Sequence, residues 1–173
     1  MNLLVIRHAI AEDKEVFAST GRDDDLRPLT EAGRSKMRRA AAGLRVLIPR
    51  LTVLASSPLV RARETAEIVA PAFRVSRAEM VEALRPDRPF DAFLDWLRRQ
   101  PNDEDEGAIA VVGHEPHLGG LVTWLMTGTT ESRLELKKGA ACLLRFEEYP
   151  PEAGAAVLRW ALAPSHLRQI GEP

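Results

Sequence analysis

Leu3-Leu4-Val5-Ile6-Arg7-His8-Ala9 is the stretch that decides how this chain is read. Four apolar residues, two of them β-branched, have the character of a short buried strand, and an arginine and a histidine stand at its C-terminal end. Open α/β sheets bind ligands in the crevice beyond the carboxyl ends of their strands. An imidazole placed there is a nucleophile or base, and a guanidinium beside it is an anion clamp. Taken alone, the pair fits equally a strand that merely ends in polar residues. Two further stretches favour the functional reading. Ala108-Ile109-Ala110-Val111-Val112 is a second apolar run, ending at Gly113-His114, and Val53-Leu54-Ala55 runs into Ser56-Ser57-Pro58-Leu59-Val60-Arg61. Three strand ends, two histidines and two arginines are expected to converge on one anion.

Outward from these strands the chain alternates between strand and helix. A polar segment from Glu12 to Asp25 follows the first strand, and its acidic run Asp23-Asp24-Asp25 reads as a solvated face. Thr30 suits the N-cap of a helix reaching about Val46, with Met37, Ala40, Ala41, Leu44 and Leu47 at helical spacing. The strand at 51–55 leads to a helix at 59–70, then a short strand at 73–75. A proline-rich loop at 85–89 precedes a helix at 90–99, and an acidic, solvated connection at 101–107 precedes the strand at 108–112. A helix at 118–126 has Gly128 just past its end. A short strand at 134–136, a turn at 137–139 and a hairpin of strands at 141–146 and 155–163 complete the chain. The pattern predicts an α/β fold: one domain over residues 1–173, built as a three-layer α/β/α sandwich. Its sheet is mostly parallel, with an antiparallel C-terminal portion.

Composition narrows the function. The 173 residues are 45% hydrophobic and 28% charged, ordinary values for a soluble globular domain. A formal net charge of −1 gives no drive toward nucleic acid or membrane surfaces. The single cysteine, Cys142, sits in an apolar run, so no intrachain disulfide and no Cys-based zinc site are expected. Met1 leads directly into the first strand, and no apolar run is long enough to span a bilayer, so a cytoplasmic location is expected. Phosphate binding asks for fixed positive charge with many donors, which arginine supplies as a planar fork. Attack on phosphorus asks for a base unprotonated near neutral pH, which imidazole supplies. Of four histidines, two close apolar strands.

These stretches resemble the motifs of the histidine phosphatase (phosphoglycerate mutase-like) superfamily. Arg7-His8 resembles its Arg-His-Gly signature, with Ala9 where glycine is usual. Ser57-Pro58-Leu59-Val60-Arg61-Ala62-Arg63-Glu64-Thr65-Ala66 resembles its second motif and Val112-Gly113-His114 its third. Arg27-Pro28-Leu29-Thr30-Glu31-Ala32-Gly33 resembles its Leu-Thr-x-x-Gly segment, and in this form resembles the compact SixA-type phosphohistidine phosphatase branch, which lacks a large flap insertion. The resemblance implies a metal-independent phosphatase without cofactors, acting through a phosphorylated His8. Arg7 and Arg61 would clamp the phosphoryl oxygens, His114 would donate to them, and Arg27 would be a further phosphate contact. Arg63, two residues on, is expected at the surface. Glu82, and less so Asp87, would be the possible general acid. The implied substrate is phosphohistidine in a protein, with a role in signal transduction. A small phosphoester, or a phosphate-binding adaptor without turnover, are the alternatives. A monomer is expected.

Overall fold

The computed structural model describes residues 1–102 and 107–172. The expected connection at 101–107 therefore lies, over 103–106, outside the described residues. Strands β1 (Asn2–Arg7), β2 (Leu51–Ser56), β3 (Glu79–Met80), β4 (Ala108–Gly113), β5 (Ala141–Phe146) and β6 (Ala156–Leu162) form one sheet in the order β3-β2-β4-β1-β5-β6. The first four in that order run parallel, and β5 and β6 run antiparallel at one side. This is the mostly parallel sheet with an antiparallel C-terminal portion that the sequence pattern predicts.

Side-chain alternation along the strands divides the core in two. Leu3, Val5, Ile109 and Val111 face helices α4 (Phe90–Arg98) and α5 (His117–Thr127). Leu4, Ile6, Ala110 and Val112 face α2 (Glu31–Leu47), α3 (Val60–Ala72) and α6 (Pro164–Ile170). All six residues of β4 are buried, as a central parallel strand covered on both faces requires. A further short helix, α1 (Lys14–Ala18), is capped by Asp13, whose carboxylate accepts from the Glu15 and Val16 amides.

Several sequence expectations need correction. Residues 73–75 form no strand: Phe73 ends α3 and Arg74 turns the chain with a φ of 58°, outside the strand region. Residues 134–136 form no strand either, because their polar groups are taken by side chains: Ser132 Oγ accepts from Leu134 N and Glu115 Oε1 from Leu136 N. The polar segment at 12–25 holds α1 and leads to a 3-10 turn at Asp24–Leu26. Helix α6, with Pro164 at its start, was not expected.

The segment after His8 is held by the Leu-Thr-x-x-Gly residues. Thr30 N and Thr30 Oγ1 both donate to the Ile10 carbonyl, while Thr30 Oγ1 caps α2 by accepting from Gly33 N. A Cβ on Gly33 would collide with that same Ile10 carbonyl, so only glycine lets α2 approach so closely.

Candidate active site

Strand register builds the site. β1 and β4 are parallel neighbours with Arg7 opposite Gly113, so the next residues, His8 and His114, emerge side by side. The His8 amide donates to the Gly113 carbonyl at 3.0 Å. The two rings lie with centroids 5.2 Å apart and planes inclined by 51°. On the other side of β4, Ser56 is opposite Val112, and the Ser57 amide donates to the Val112 carbonyl. Ser57 Oγ then meets His114 Nε2 at 2.8 Å. The chain turns into α3, whose first turn brings Arg61 to the same place.

The hydrogen bonds fix the state of His8. Its Nδ1 lies 2.7 Å from the Ala9 carbonyl, which can only accept, so Nδ1 carries the proton and Nε2 keeps a free lone pair. Burial, reinforced by Arg61, Arg7 and Arg27, pushes the His8 pKa down to about 3 despite that bond. His114 is pushed down to about 2, by burial first and then by His8 and Arg61. Both rings are neutral at physiological pH, and an uncharged imidazole beside guanidinium groups can attack an anionic electrophile.

Arg7 Nη1 donates to the Leu136 carbonyl at 2.5 Å, and Arg61 Nη1 to the Asp24 carbonyl at 2.9 Å. Among the described residues, Arg7 Nε, Arg61 Nε and His114 Nδ1 are buried with no protein partner, as is His117 Nδ1. Buried polar groups are nearly always paired, and exceptions concentrate at functional sites. Arg27 is buried, with Nε on Asp24 Oδ1 at 2.7 Å and Nη1 on the Glu12 carbonyl at 2.8 Å. Ala9 occupies the usual glycine position without a positive φ. Its amide donates to Thr65 Oγ1, and its methyl group is packed in the core.

Arg63, Glu82 and Asp87 pair with other side chains instead. Arg63 is half-exposed, 3.6 Å from Glu67. Glu82 and Asp87 are exposed carboxylates grouped around Arg85, at 4.0 Å and 3.5 Å from its Nε. His117 is buried, its Nε2 donating to the Arg88 carbonyl, and it stands edge-on to Phe90. It lines a groove of about 820 Å³ with Phe90, Trp124 and Arg88. Pro116 and Ser132 line both this groove and a second one of about 500 Å³ that reaches Arg7.

Four contributors went unassigned in the sequence. Glu64 accepts from Leu29 N and Arg34 Nη2, tying the Leu-Thr-x-x-Gly segment to α3. Thr65 links Ala9 to the Arg61 carbonyl. Glu115 holds Leu136 and Gly119. Asp24, in the acidic run read as solvated, instead pairs with Arg27 and Arg61. The first two stand within the second motif, which was their one visible signal.

The chain is similar to known proteins in sequence and in fold. The profile of the histidine phosphatase superfamily (branch 1) matches residues 3–86. An uncharacterized protein of Picosynechococcus sp. is 36% identical over 84% of this chain and 85% of its own length. The phosphohistidine phosphatase SixA of Escherichia coli is 28% identical over 97% of both chains. A solved structure of the protein histidine phosphatase SixA complexed with tungstate superimposes with a TM-score of 0.76 at 28% identity. The match covers 96% of this chain and 99% of that one.

Proposed function

Since this chain belongs to the histidine phosphatase superfamily and is SixA-like in fold, we propose that it removes the phosphoryl group from phosphohistidine in a partner protein, through a covalent intermediate on His8. The observation that carries the reading is the lone pair of His8 Nε2, held free by the Nδ1 bond to Ala9 and set among buried guanidinium and imidazole nitrogens that no protein group satisfies. Those nitrogens suit the equatorial oxygens of a phosphoryl group in flight, where preorganised donors lower the barrier most. The SixA structure that resembles this fold holds tungstate, itself a tetrahedral oxyanion.

In the first step His8 Nε2 attacks phosphorus, and the P–N bond to the substrate imidazole breaks. The substrate ring, protonated by solvent on its other nitrogen, departs as neutral imidazole. In the second step water attacks the phosphorus on His8, inorganic phosphate leaves, and the neutral imidazole is restored. Arg7, Arg61 and Arg27 hold the oxygens, and His114, fixed by Ser57, stabilises the charge that shifts between them. Imidazole, with an unperturbed pKa of about 6.5, leaves without a protein acid. Glu82 and Asp87, exposed beside Arg85, are therefore dispensable in this reaction. An alkoxide leaving group would need such an acid, a contribution of about 10²–10⁴-fold. A phosphohistidine protein as substrate places the enzyme in signal transduction.

The test is a comparison of kcat/KM on a phosphohistidine domain, phosphoserine peptides and small sugar phosphates. The phosphohistidine protein should be preferred, and turnover should survive exhaustive chelation because arginines supply the positive charge. A small phosphoester better by about tenfold or more would replace this reading with that of a metabolite phosphatase.

A further inference from the structure

Asp24 makes contacts that a solvated acid would not. Its Oδ1 accepts from Arg27 Nε at 2.7 Å, its Oδ2 lies 3.3 Å from Arg61 Nη1, and its main-chain carbonyl accepts from the same Nη1 at 2.9 Å. The two arginine side chains are about 10% and 8% exposed and that of Asp24 is 40% exposed, so one carboxylate at the rim bridges two buried guanidinium groups. The segment is fixed around it. Asp23 caps the 3-10 turn through the Asp25 amide, and Asp25 Oδ2 accepts from Arg85 Nη2 at 2.7 Å.

The contacts engage Nη1 of Arg61 and Nε and Nη1 of Arg27. Arg61 meets Asp24 through Nη1, while its Nε stays buried and unpaired. Arg27 meets Asp24 through Nε and the Glu12 carbonyl through Nη1. A planar guanidinium fixed at one or two of its nitrogens presents its remaining donors in a defined direction. Without a counter-charge, Arg7, Arg27 and Arg61 would surround His8 with uncompensated positive charge. They would then hold a multiply charged anion most tightly, and inorganic phosphate is such an anion.

We infer that Asp24 is a positioning and specificity residue: a built-in anion that orients Arg61 and Arg27 and lowers the site's affinity for inorganic phosphate, so that product leaves. The inference rests on the reading that these arginines hold the phosphoryl group. The hydrogen bond from Arg27 holds the Asp24 carboxyl below the usual carboxylate range, so the charge is present throughout the working pH range.

Two variants separate charge from geometry. Asp24→Asn removes the charge, keeps an acceptor for Arg27 Nε and leaves the main-chain acceptor for Arg61. Asp24→Ala removes the side-chain acceptor as well. Calorimetric binding of inorganic phosphate and its competitive inhibition of turnover are the readouts, with thermal unfolding as the folding control. Asp24→Asn should bind phosphate about tenfold more tightly, the order expected for one partly screened charge at this distance. Its KM should fall while kcat is kept or lowered by slower product release. Asp24→Ala should lose kcat because the arginines lose their orientation, a split that mere destabilisation would not give. Phosphate affinity unchanged or weakened in Asp24→Asn overturns the inference while leaving the function intact, provided the wild type binds phosphate and turns over. A wild type that does neither overturns both.

Discussion

His8 and His114 face each other at 5.2 Å because the parallel strands that carry them are in register, Arg7 opposite Gly113. A residue inserted into either strand would separate them. The two rings differ in their partners: His8 Nδ1 is committed to a carbonyl, whereas His114 Nε2 meets the Ser57 hydroxyl. Only His8 therefore has its lone pair assigned by geometry. We predict that rapid quenching during turnover of a radiolabelled phosphohistidine protein traps phosphate on His8 as an acid-labile, base-stable adduct. His8→Ala should show neither label nor turnover while keeping the wild-type circular dichroism. Substantial activity in a folded His8→Ala protein would sink the assignment.

Arg61 and Arg63 lie two residues apart on α3 and should behave oppositely. Arg61 is buried with an unpaired Nε, whereas Arg63 is half-exposed beside Glu67. Loss of one preorganised donor to developing charge costs about 10²–10³ in kcat. Arg61→Lys should fall in that range, since an ammonium cannot reproduce the fork. Arg63→Ala should be nearly silent. The reverse ranking in steady-state kinetics would show that the wrong arginine had been placed in the site.

What was legible followed from short-range rules. Apolar runs ending in Arg7-His8 and Gly113-His114 mark central strands, and in a parallel sheet their ends share an edge. What was illegible depended on contacts distant in sequence. Leu134-Glu135-Leu136 alternates like a strand, but the Leu136 amide is taken by Glu115, 21 residues earlier. Asp23-Asp24-Asp25 has the composition of a solvated run, yet Asp24 faces Arg61, 37 residues on. Helix α6 carried its signal in Pro164, a residue suited to a first helical turn.

Gly33 should prove as necessary as its place in the Leu-Thr-x-x-Gly segment suggests. A methyl group there meets the Ile10 carbonyl, backbone that cannot swing aside, two residues after His8. Gly33→Ala should destabilise the fold by about 1–3 kcal/mol, the usual cost of forced overpacking. It should also lower kcat by displacing the His8 loop. A denaturation midpoint and kcat both equal to wild type would contradict this.

Acid should destabilise the protein from near neutrality downward. The native state holds His8 at a pKa of about 3 and His114 at about 2, against an ordinary value of 6.5. Between these values the unfolded chain binds more protons than the native one, so stability falls as pH drops through 6.5. Urea midpoints of the wild type should decline between pH 7.5 and pH 5. His114→Gln, having one fewer depressed histidine, should decline less over that interval. Identical declines would show that His114 is not held neutral by the fold.

Glu115 should act on catalysis through Arg7, with which it shares no hydrogen bond or ion pair among the described residues. Its Oε1 accepts from Leu136 N at 2.9 Å and its Oε2 from Gly119 N at 3.2 Å, so it pins the segment at 132–136 to the start of α5. The Leu136 carbonyl in turn receives Arg7 Nη1 at 2.5 Å. Released from Glu115, Leu136 would no longer fix the guanidinium, and a misplacement of about 1 Å at a reacting centre can cost about 10²-fold. Glu115→Ala should therefore lower kcat by up to about that factor. Glu115→Gln, which keeps one acceptor, should lose less. The decisive measurement is a double-mutant cycle, because residues acting as one unit are non-additive. If Glu115 works only by placing Arg7, then Arg7→Ala combined with Glu115→Ala should be no slower than Arg7→Ala alone. Additive losses would mean that Glu115 acts by another route, most simply by holding His114, the residue directly before it.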